Sequence, residues 1–189
     1  MDPTAELRER DELLDRLRPY VDQVGLCALT LENAANALGL SSDALQDFFP
    51  AKEDLIAALI AQNRIRLRTK FASLDHSLPP DELRRVMWDF LMQTASELRL
   101  FFEAYGLALR DEHYGDFLTG INDWLGLLKD ALLRRGVPND RAEAFATLIL
   151  AVYRGAMMDY CATEERPRVN AAMELWFKAA NWLTEPSAE

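Results

Sequence analysis

Apolar residues at helical spacing are the feature that most constrains how this chain can fold. One face of the first predicted helix carries Leu13, Leu14, Leu17, Val21 and Val24. The same period returns in every later segment long enough to test. Only 8 Gly and 8 Pro occur in 189 residues, which favours long regular elements over a turn-rich β fold. The sequence therefore predicts an all-α chain of about nine helices.

Breaks in this pattern divide the chain. Pro19 predicts a kink in the first helix, and Gly25 and Gly39 are predicted helix ends. Thr30 and Ser41 are predicted N-caps, and Asn139 caps a later helix after Gly136. After the first helix, we predict helices at 31–38, 42–48, 52–73, 81–97, 98–111, 114–135, 140–163 and 167–183. Three short helices followed by longer ones indicate an N-terminal head, residues 1–51, and a helical body, residues 52–189, joined by the long helix that begins at 52.

Charge and cysteine content exclude several classes of protein. The chain has 21 Lys and Arg against 31 Asp and Glu, a net charge of -10, and its whole-chain balance is the wrong sign for nucleic-acid binding. Cys27 and Cys161 are too few and too far apart for a disulfide scaffold. The charged N-terminus lacks the apolar core of a signal peptide, and the longest charge-free apolar run, 144–153, is too short to cross a bilayer. We expect a soluble cytoplasmic protein.

The segment 30–55 contains the residues most informative about function. Its two short helices, joined through Gly39-Leu40-Ser41, have the length of a helix-turn-helix, and small alanines would let them cross closely. An ordinary structural hairpin of two helices has the same pattern, so the spacing alone does not distinguish it from a DNA-binding helix-turn-helix.

A longer set of residues between 13 and 55 extends this pattern: Leu13-Leu14-Asp15, Gly25, Thr30, Ala35, Gly39-Leu40-Ser41, Leu45, Phe49, Lys52-Glu53 and Leu55. With these residues the chain resembles the N-terminal domain of the TetR family of bacterial transcriptional regulators. The resemblance implies a homodimer that binds double-stranded operator DNA as a repressor and is released by a small apolar or amphipathic effector bound in the body. Carried over by position, the DNA-binding residues are Thr30, Ser42, Asp43, Ala44, Gln46, Asp47 and Lys52.

Several of these positions depart from the family pattern. Gln46 stands where Tyr is common, and Asp43 and Asp47 bring carboxylates to the recognition helix. Ala51 replaces the usual capping Ser. Residues 26–55 contain five acids and one base, and carboxylates are repelled by phosphates. A second hypothesis is therefore a TetR-fold module that binds an apolar metabolite or lipid and has lost its operator.

Basic residues that precede the helix-turn-helix segment could offset this acidity. Arg8, Arg10, Arg16 and Arg18 could contact flanking phosphates, or they could pair with the acids that alternate with them on a solvated helix.

The body is rich in large apolar residues, which are more often core than pocket. Together with nearby polar groups they give a tentative ligand pocket of Trp88, Phe101, Phe102, Glu103, Tyr105, Trp124, Tyr153, Arg154 and Met157. Arg154 and Asp159 interrupt an apolar run, so they could anchor a ligand or pair across helices or an interface.

The last two predicted helices, 140–163 and 167–183, carry small and apolar residues over more than one face. We expect them to form a homodimer interface. The sequence shows no catalytic motif and no metal-ligand spacing, so we predict neither an enzyme nor a cofactor or metal site.

Overall fold

In the computed structural model, the described residues are 3–75 and 77–184, with the side chains of all but residues 3, 95, 96 and 182–184. These residues form nine α-helices, one short 3₁₀ turn at Glu112–Tyr114 and no strand, which confirms the predicted all-α class. The helices are α1 Pro3–Val24, α2 Leu31–Leu38, α3 Ser42–Gln46, α4 Lys52–Ala72, α5 Pro80–Gln93, α6 Ala95–Ala108, α7 Gly115–Arg134, α8 Asn139–Thr163 and α9 Arg166–Thr184.

The chain divides into two compact units. The first comprises Met1–Ala72 and Arg99–Leu118, and the second comprises Ser73–Leu98 and Thr119–Glu189. Most of α6 thus belongs to the same unit as α1 to α4. The predicted division of the chain after residue 51 separates a DNA-binding part from a ligand-binding part. That division stays a prediction.

The core of the first unit joins the apolar faces of α1, α3 and α4. Leu17 and Val21 of α1, Leu45 of α3 and Leu55 of α4 are each 0–1% exposed, as is Phe49 in the connection before α4. The helical spacing seen in the sequence of α1 is therefore the spacing that buries one face of that helix.

The core of the second unit includes the contact of α8 with α9. Val169, Met173 and Phe177 lie three or four residues apart on α9 and are buried. A smaller cluster closes the corner between α7 and α8, where Val137 is buried against Ala142. Gly136 makes this corner possible because its φ of 84° is in the left-handed region that favours glycine.

The predicted break between the fifth and sixth helices was wrong by several residues. α5 ends at Gln93 and α6 begins at Ala95, whereas the sequence suggested a break at 97–98. Thr94 is buried, and its hydroxyl donates to the Leu91 carbonyl at 3.0 Å. This local side-chain bond competes with helix continuation at a place that has no Gly or Pro.

Three smaller differences concern helix ends. α3 ends at Gln46 instead of 48, α6 ends at Ala108 instead of 111, and Asn139 is the first residue of α8 instead of its N-cap. Pro138 occupies the cap position, where its fixed φ suits the start of a helix.

Candidate nucleic-acid interface and ligand cavity

A reciprocal cap fixes the start of α2. The Thr30 side-chain oxygen accepts from the Asn33 backbone N–H at 3.1 Å, and the Asn33 side-chain oxygen accepts from the Thr30 N–H at 2.9 Å. The predicted N-cap at Thr30 is confirmed. The side chain of Thr30 remains exposed at this helix end.

The turn between α2 and α3 has the geometry that its sequence suggested. Gly39 has a φ of 71°, and the following Leu40 N–H donates to the Ala35 carbonyl at 2.9 Å. Ser41 then caps α3 by accepting from the Ala44 N–H at 3.2 Å, as predicted. Ala34 and Ala35 are almost fully buried, so their small size permits close packing around α2.

α3 presents an acidic face to solvent. Leu45 is completely buried, whereas Asp43, Gln46 and Asp47 are exposed. The remaining predicted DNA contacts on this helix, Ser42 and Ala44, are half-buried. The exposed surface of α3 therefore offers two carboxylates and one amide, and no cation.

The start of α4 holds Lys52, which is half-buried. Ala51 supplies no capping side chain, but its backbone N–H donates to Asp54 Oδ2 at 3.0 Å. Asp54 therefore satisfies one amide at this end, a role that sequence reasoning missed. An acid three residues after the cap position is the pattern that would have indicated it.

Three of the four N-terminal arginines are engaged within the first unit. The guanidinium of Arg10 lies 4.7 Å from the ring centre of Phe49. Arg16 donates to the Leu38 carbonyl at 2.7 Å. Arg18 is 8% exposed and donates to the side chain of Asn63 at 3.2 Å. Arg8 alone of the four is exposed without a described bond, so α1 has less positive charge to offer DNA than its sequence suggests.

Glu103 of α6 reaches the loop between α1 and α2. Its Oε2 accepts from the Leu26 backbone N–H at 2.5 Å. Gly25 has a φ of 77°, and a Cβ at this position would lie 2.9 Å from both carboxylate oxygens of Glu103. The predicted pocket residue Glu103 therefore binds the backbone of the head, and the close approach requires glycine at 25.

The other predicted pocket residues lie in both units. Phe101, Phe102 and Tyr105 pack in the first unit, where ring centres of Phe101 and Phe117 are 5.2 Å apart. In the second unit, the rings of Trp88 and Tyr153 meet edge to face at 6.1 Å.

The polar side-chain atoms of Trp88 and Tyr153 form hydrogen bonds with other residues of the second unit. Trp88 Nε1 donates to Asn170 Oδ1 at 2.8 Å, and the Tyr153 hydroxyl donates to the Arg84 carbonyl at 3.2 Å. Met157 is buried, and Trp124 and Arg154 are half-buried. Asp159 pairs with Arg168 at 2.8 Å.

A cavity of about 90 Å³ lies in the second unit, among α5, α7, α8 and α9. Of the residues predicted to form a ligand pocket, Tyr153 lines this cavity. Its lining is Pro80, Leu83, Arg84, Met87, Leu128, Ala131, Leu132, Arg135, Phe145, Leu148, Ile149, Tyr153, Trp176 and Ala180. The other lining residues were not predicted, because the local sequence does not indicate which apolar residues of four helices will leave space between them.

The outer faces of α8 and α9 expose apolar side chains. Leu148 and Met158 of α8 are 40% and 54% exposed, and Leu175 of α9 is 69% exposed. Ala144, Ala151 and Gly155 on α8 are also exposed. These positions lie in the two helices from which a dimer interface was predicted.

No described helix has the length and hydropathy needed to cross a membrane. Across residues 3–75 and 77–184, no three His, Cys, Asp or Glu side chains group in a way that could hold a metal ion.

Comparison with known proteins places the fold. No protein-family model and no curated sequence matches the chain. Among solved structures, a transcriptional regulator from Rhodococcus sp. Rha1 has a TM-score of 0.80 at 16% identity, covering 90% of this chain and 95% of its own. A TetR-family regulator from Cytophaga hutchinsonii has 0.76 at 16%, covering 96% and 97%. A TetR regulator from Haloarcula marismortui has 0.75 at 18%, covering 92% and 97%. The resemblance predicted from residues 13–55 is thus confirmed over nearly the whole chain, which has the fold of the TetR-family transcriptional regulators.

Proposed function

We propose that this protein is a homodimeric transcriptional repressor that binds operator DNA through α2 and α3 and is released by a small-molecule effector. The observation that carries the proposal is the capped pair of helices, in which Thr30 and Ser41 cap α2 and α3 and α3 turns Asp43 and Gln46 to solvent. This is the arrangement by which a recognition helix enters a major groove.

The polar groups on this surface suit specific and nonspecific contacts. The Gln46 amide can bond an adenine edge in bidentate fashion, and the carboxylates of Asp43 and Asp47 can accept from a cytosine amino group. Thr30 and Lys52 lie at the starts of α2 and α4, where backbone N–H groups favour phosphate. We therefore assign base contacts to α3 and phosphate contacts to Thr30 and Lys52.

The homodimer is proposed to form through α8 and α9. Their exposed Leu148, Met158 and Leu175 form apolar surface that a second copy would cover. Two-fold symmetry would then present two α3 helices to successive half-sites of a palindrome. The proposed effector site is in the helical body, and a cytoplasmic location follows from the function.

Binding of the purified protein to its own upstream DNA tests this proposal. Fluorescence anisotropy at several salt concentrations should show saturable binding that weakens steeply as salt rises, because phosphate contacts release counterions. A scrambled duplex of equal length is the control. Absence of salt-dependent preference for the upstream sequence at low salt would refute operator binding.

A second candidate function is a binding module that keeps the fold without an operator. The exposed Asp43 and Asp47, together with the internal engagement of Arg10, Arg16 and Arg18, favour it. Under this alternative, the protein would show no preference for any DNA duplex. It would also copurify with an apolar metabolite or lipid, which native mass spectrometry would detect.

A further inference from the structure

The helix-turn-helix segment carries no positive charge. Residues 19–51, which contain α2 and α3, include no Lys, Arg or His. The exposed side chains of α3 and of the residue after it are Asp43, Gln46 and Asp47, and their spacing of three and four places them on one face. These three side chains, the α3 face, offer two carboxylates and one amide to a partner.

The α3 face has no partner among the described residues. No described hydrogen bond or ion pair engages its three side chains. Other acids of the first unit are occupied, since Asp15 pairs with an arginine of α4 at 2.7 Å and Asp54 accepts from the Ala51 N–H at 3.0 Å. Leu45, on the opposite side of α3, is completely buried and fixes which side of the helix points outward. The acceptors of the α3 face are thus unused and held toward solvent.

The remainder of this surface lets the helix come close to a base edge. Ser42 and Ala44 are half-buried and carry small side chains. Gln46 is the longest side chain of the α3 face, and an aspartate reaches a base only when its helix lies deep in the groove. Because no long side chain of α3 holds the helix away, its carboxylates can approach a base directly.

The major groove divides base edges into donors and acceptors. Cytosine N4 and adenine N6 present amino hydrogens, whereas guanine presents only the acceptors O6 and N7. The commonest specific contact, a bidentate bond from Arg or Lys to guanine, needs a cation that residues 19–51 lack. An ionised carboxylate accepts and cannot donate, so it is attracted to an amino group and repelled by O6 and N7.

We propose that the α3 face reads exocyclic amino groups, so that it contacts cytosine and adenine and excludes guanine. Asp43 and Asp47 accept from cytosine N4, while Gln46 accepts from adenine N6 and donates to N7. Methylation of a contacted amino group removes the donor, which makes the complex sensitive to N4-methylcytosine. The inference rests on the proposed function and adds to it the class of base edge that α3 recognises.

Modified duplexes test the proposal on the full chain. A duplex selected from a randomised pool at low salt is remade with single changes at its preferred C·G pairs, and fluorescence anisotropy measures the affinity. N4-methylcytosine keeps its pairing with guanine but places a methyl group where the groove-facing amino hydrogen was, so it should weaken binding roughly tenfold at the contacted pair. 7-Deazaguanine, which removes the N7 acceptor of the paired base, should leave the affinity unchanged. Loss with 7-deazaguanine instead of N4-methylcytosine, or insensitivity to both, would overturn the proposal.

Matched variants locate the readout. Asp43→Asn and Asp47→Asn each remove a charge and add a donor, so each should tighten nonspecific binding while its cytosine preference moves toward adenine, the base that asparagine reads. Glu32→Gln removes an exposed charge from α2 and should tighten nonspecific binding without changing any base preference. Because all three positions are exposed, these variants should fold normally, as circular dichroism would verify. Preferences that stay the same in both aspartate variants, or that change equally in Glu32→Gln, would contradict the assignment.

The outcomes separate this inference from the proposed function. Selective binding that depends on guanine N7 would support the regulator and refute the amino-group readout. Selection that recovers no preferred duplex would refute both, since the readout requires the complex.

Discussion

At the scale of single residues, the exposed carboxylates of α3 and of the following Asp47 should weaken the proposed DNA complex. Asp43 and Asp47 are exposed on the face proposed to enter the groove. The double variant Asp43→Asn, Asp47→Asn removes two negative charges and should tighten nonspecific duplex binding about three- to tenfold at low salt, because each charge repels phosphates. Fluorescence anisotropy measures the change.

The matched control is Asp130→Asn, which removes an exposed carboxylate from α7 of the other unit. It should leave DNA affinity unchanged. An equal gain from Asp130→Asn would mean that net charge, and not the α3 surface, governs binding.

Lys52 and Gln46 should differ in what they contribute to recognition. Lys52→Ala removes a proposed phosphate contact, so affinity should fall about equally on all sequences and the salt slope should shrink by about one per protomer. Gln46→Ala removes a proposed base contact, so it should change preference at one base pair, at a cost of about 1–3 kcal/mol. Binding to a library of single-substituted duplexes distinguishes them, and equal loss of specificity from both would contradict the assignment.

Residue roles that depend on near neighbours were predictable from the sequence. Thr30 and Ser41 cap their helices through bonds to N–H groups three residues later, so their signal is local. Arg18 looked like a solvent-exposed residue beside acidic neighbours, yet it is buried with Asn63, 45 residues away. Such a partner is fixed only when α1 packs on α4, which no local pattern encodes.

At the scale of helices and loops, Gly25 and Gly39 form a natural pair for comparison. Both have φ above 70°, but a Cβ at 39 meets nothing within 4 Å, whereas one at 25 meets the Glu103 carboxylate at 2.9 Å. Gly39→Ala should cost only the left-handed backbone, about 1–2 kcal/mol. Gly25→Ala should cost about 1–3 kcal/mol more, because displacing Glu103 leaves the Leu26 N–H without its acceptor. Urea denaturation measures both free energies of unfolding.

A double-mutant cycle with Glu103→Ala checks the cause of that extra cost. Once the carboxylate is gone, Gly25→Ala should destabilise the protein no more than Gly39→Ala does. An unchanged cost of Gly25→Ala in the Glu103→Ala background would mean that the contact with Glu103 is not responsible.

Most helix boundaries followed from local sequence, and the largest error lies between α5 and α6. Glycine and the Pro79-Pro80 pair marked true ends because they limit what the backbone can do. Thr94 ends α5 through a buried hydroxyl bonded to the preceding turn, and a threonine in a helical segment more often continues the helix.

At the scale of the whole molecule, the apolar surface of α8 and α9 should determine the oligomeric state. Leu175 is 69% exposed on α9, so Leu175→Glu would place a charge inside the proposed dimer interface. It should shift the dimer to monomer, as measured by sedimentation velocity, and abolish cooperative operator binding. The control is Leu109→Glu. Leu109 is 65% exposed and lies outside α8 and α9, so this variant should leave the dimer intact. A wild-type monomer at micromolar concentration would contradict the interface.

The fold class was predictable from the helical spacing of apolar residues and from the resemblance to a known family. The two compact units and the cavity were not predictable. The unit boundary falls inside α6, between Leu98 and Arg99, where the helix itself is continuous. The cavity needs the relative placement of four helices, which depends on packing between residues about 100 positions apart, such as Leu83 and Trp176.

The bond from Glu103 to Leu26 bears on whether the first four helices can be treated as an exchangeable part. A fragment cut after Ala72 contains all of α1 to α4 but loses the acceptor for a backbone amide in the loop before α2. Grafting these four helices onto the body of another protein with this fold would therefore require a carboxylate at the corresponding place on the recipient's sixth helix. Chimeras built without it should show a loosened first loop, which hydrogen exchange at the Leu26 amide would report.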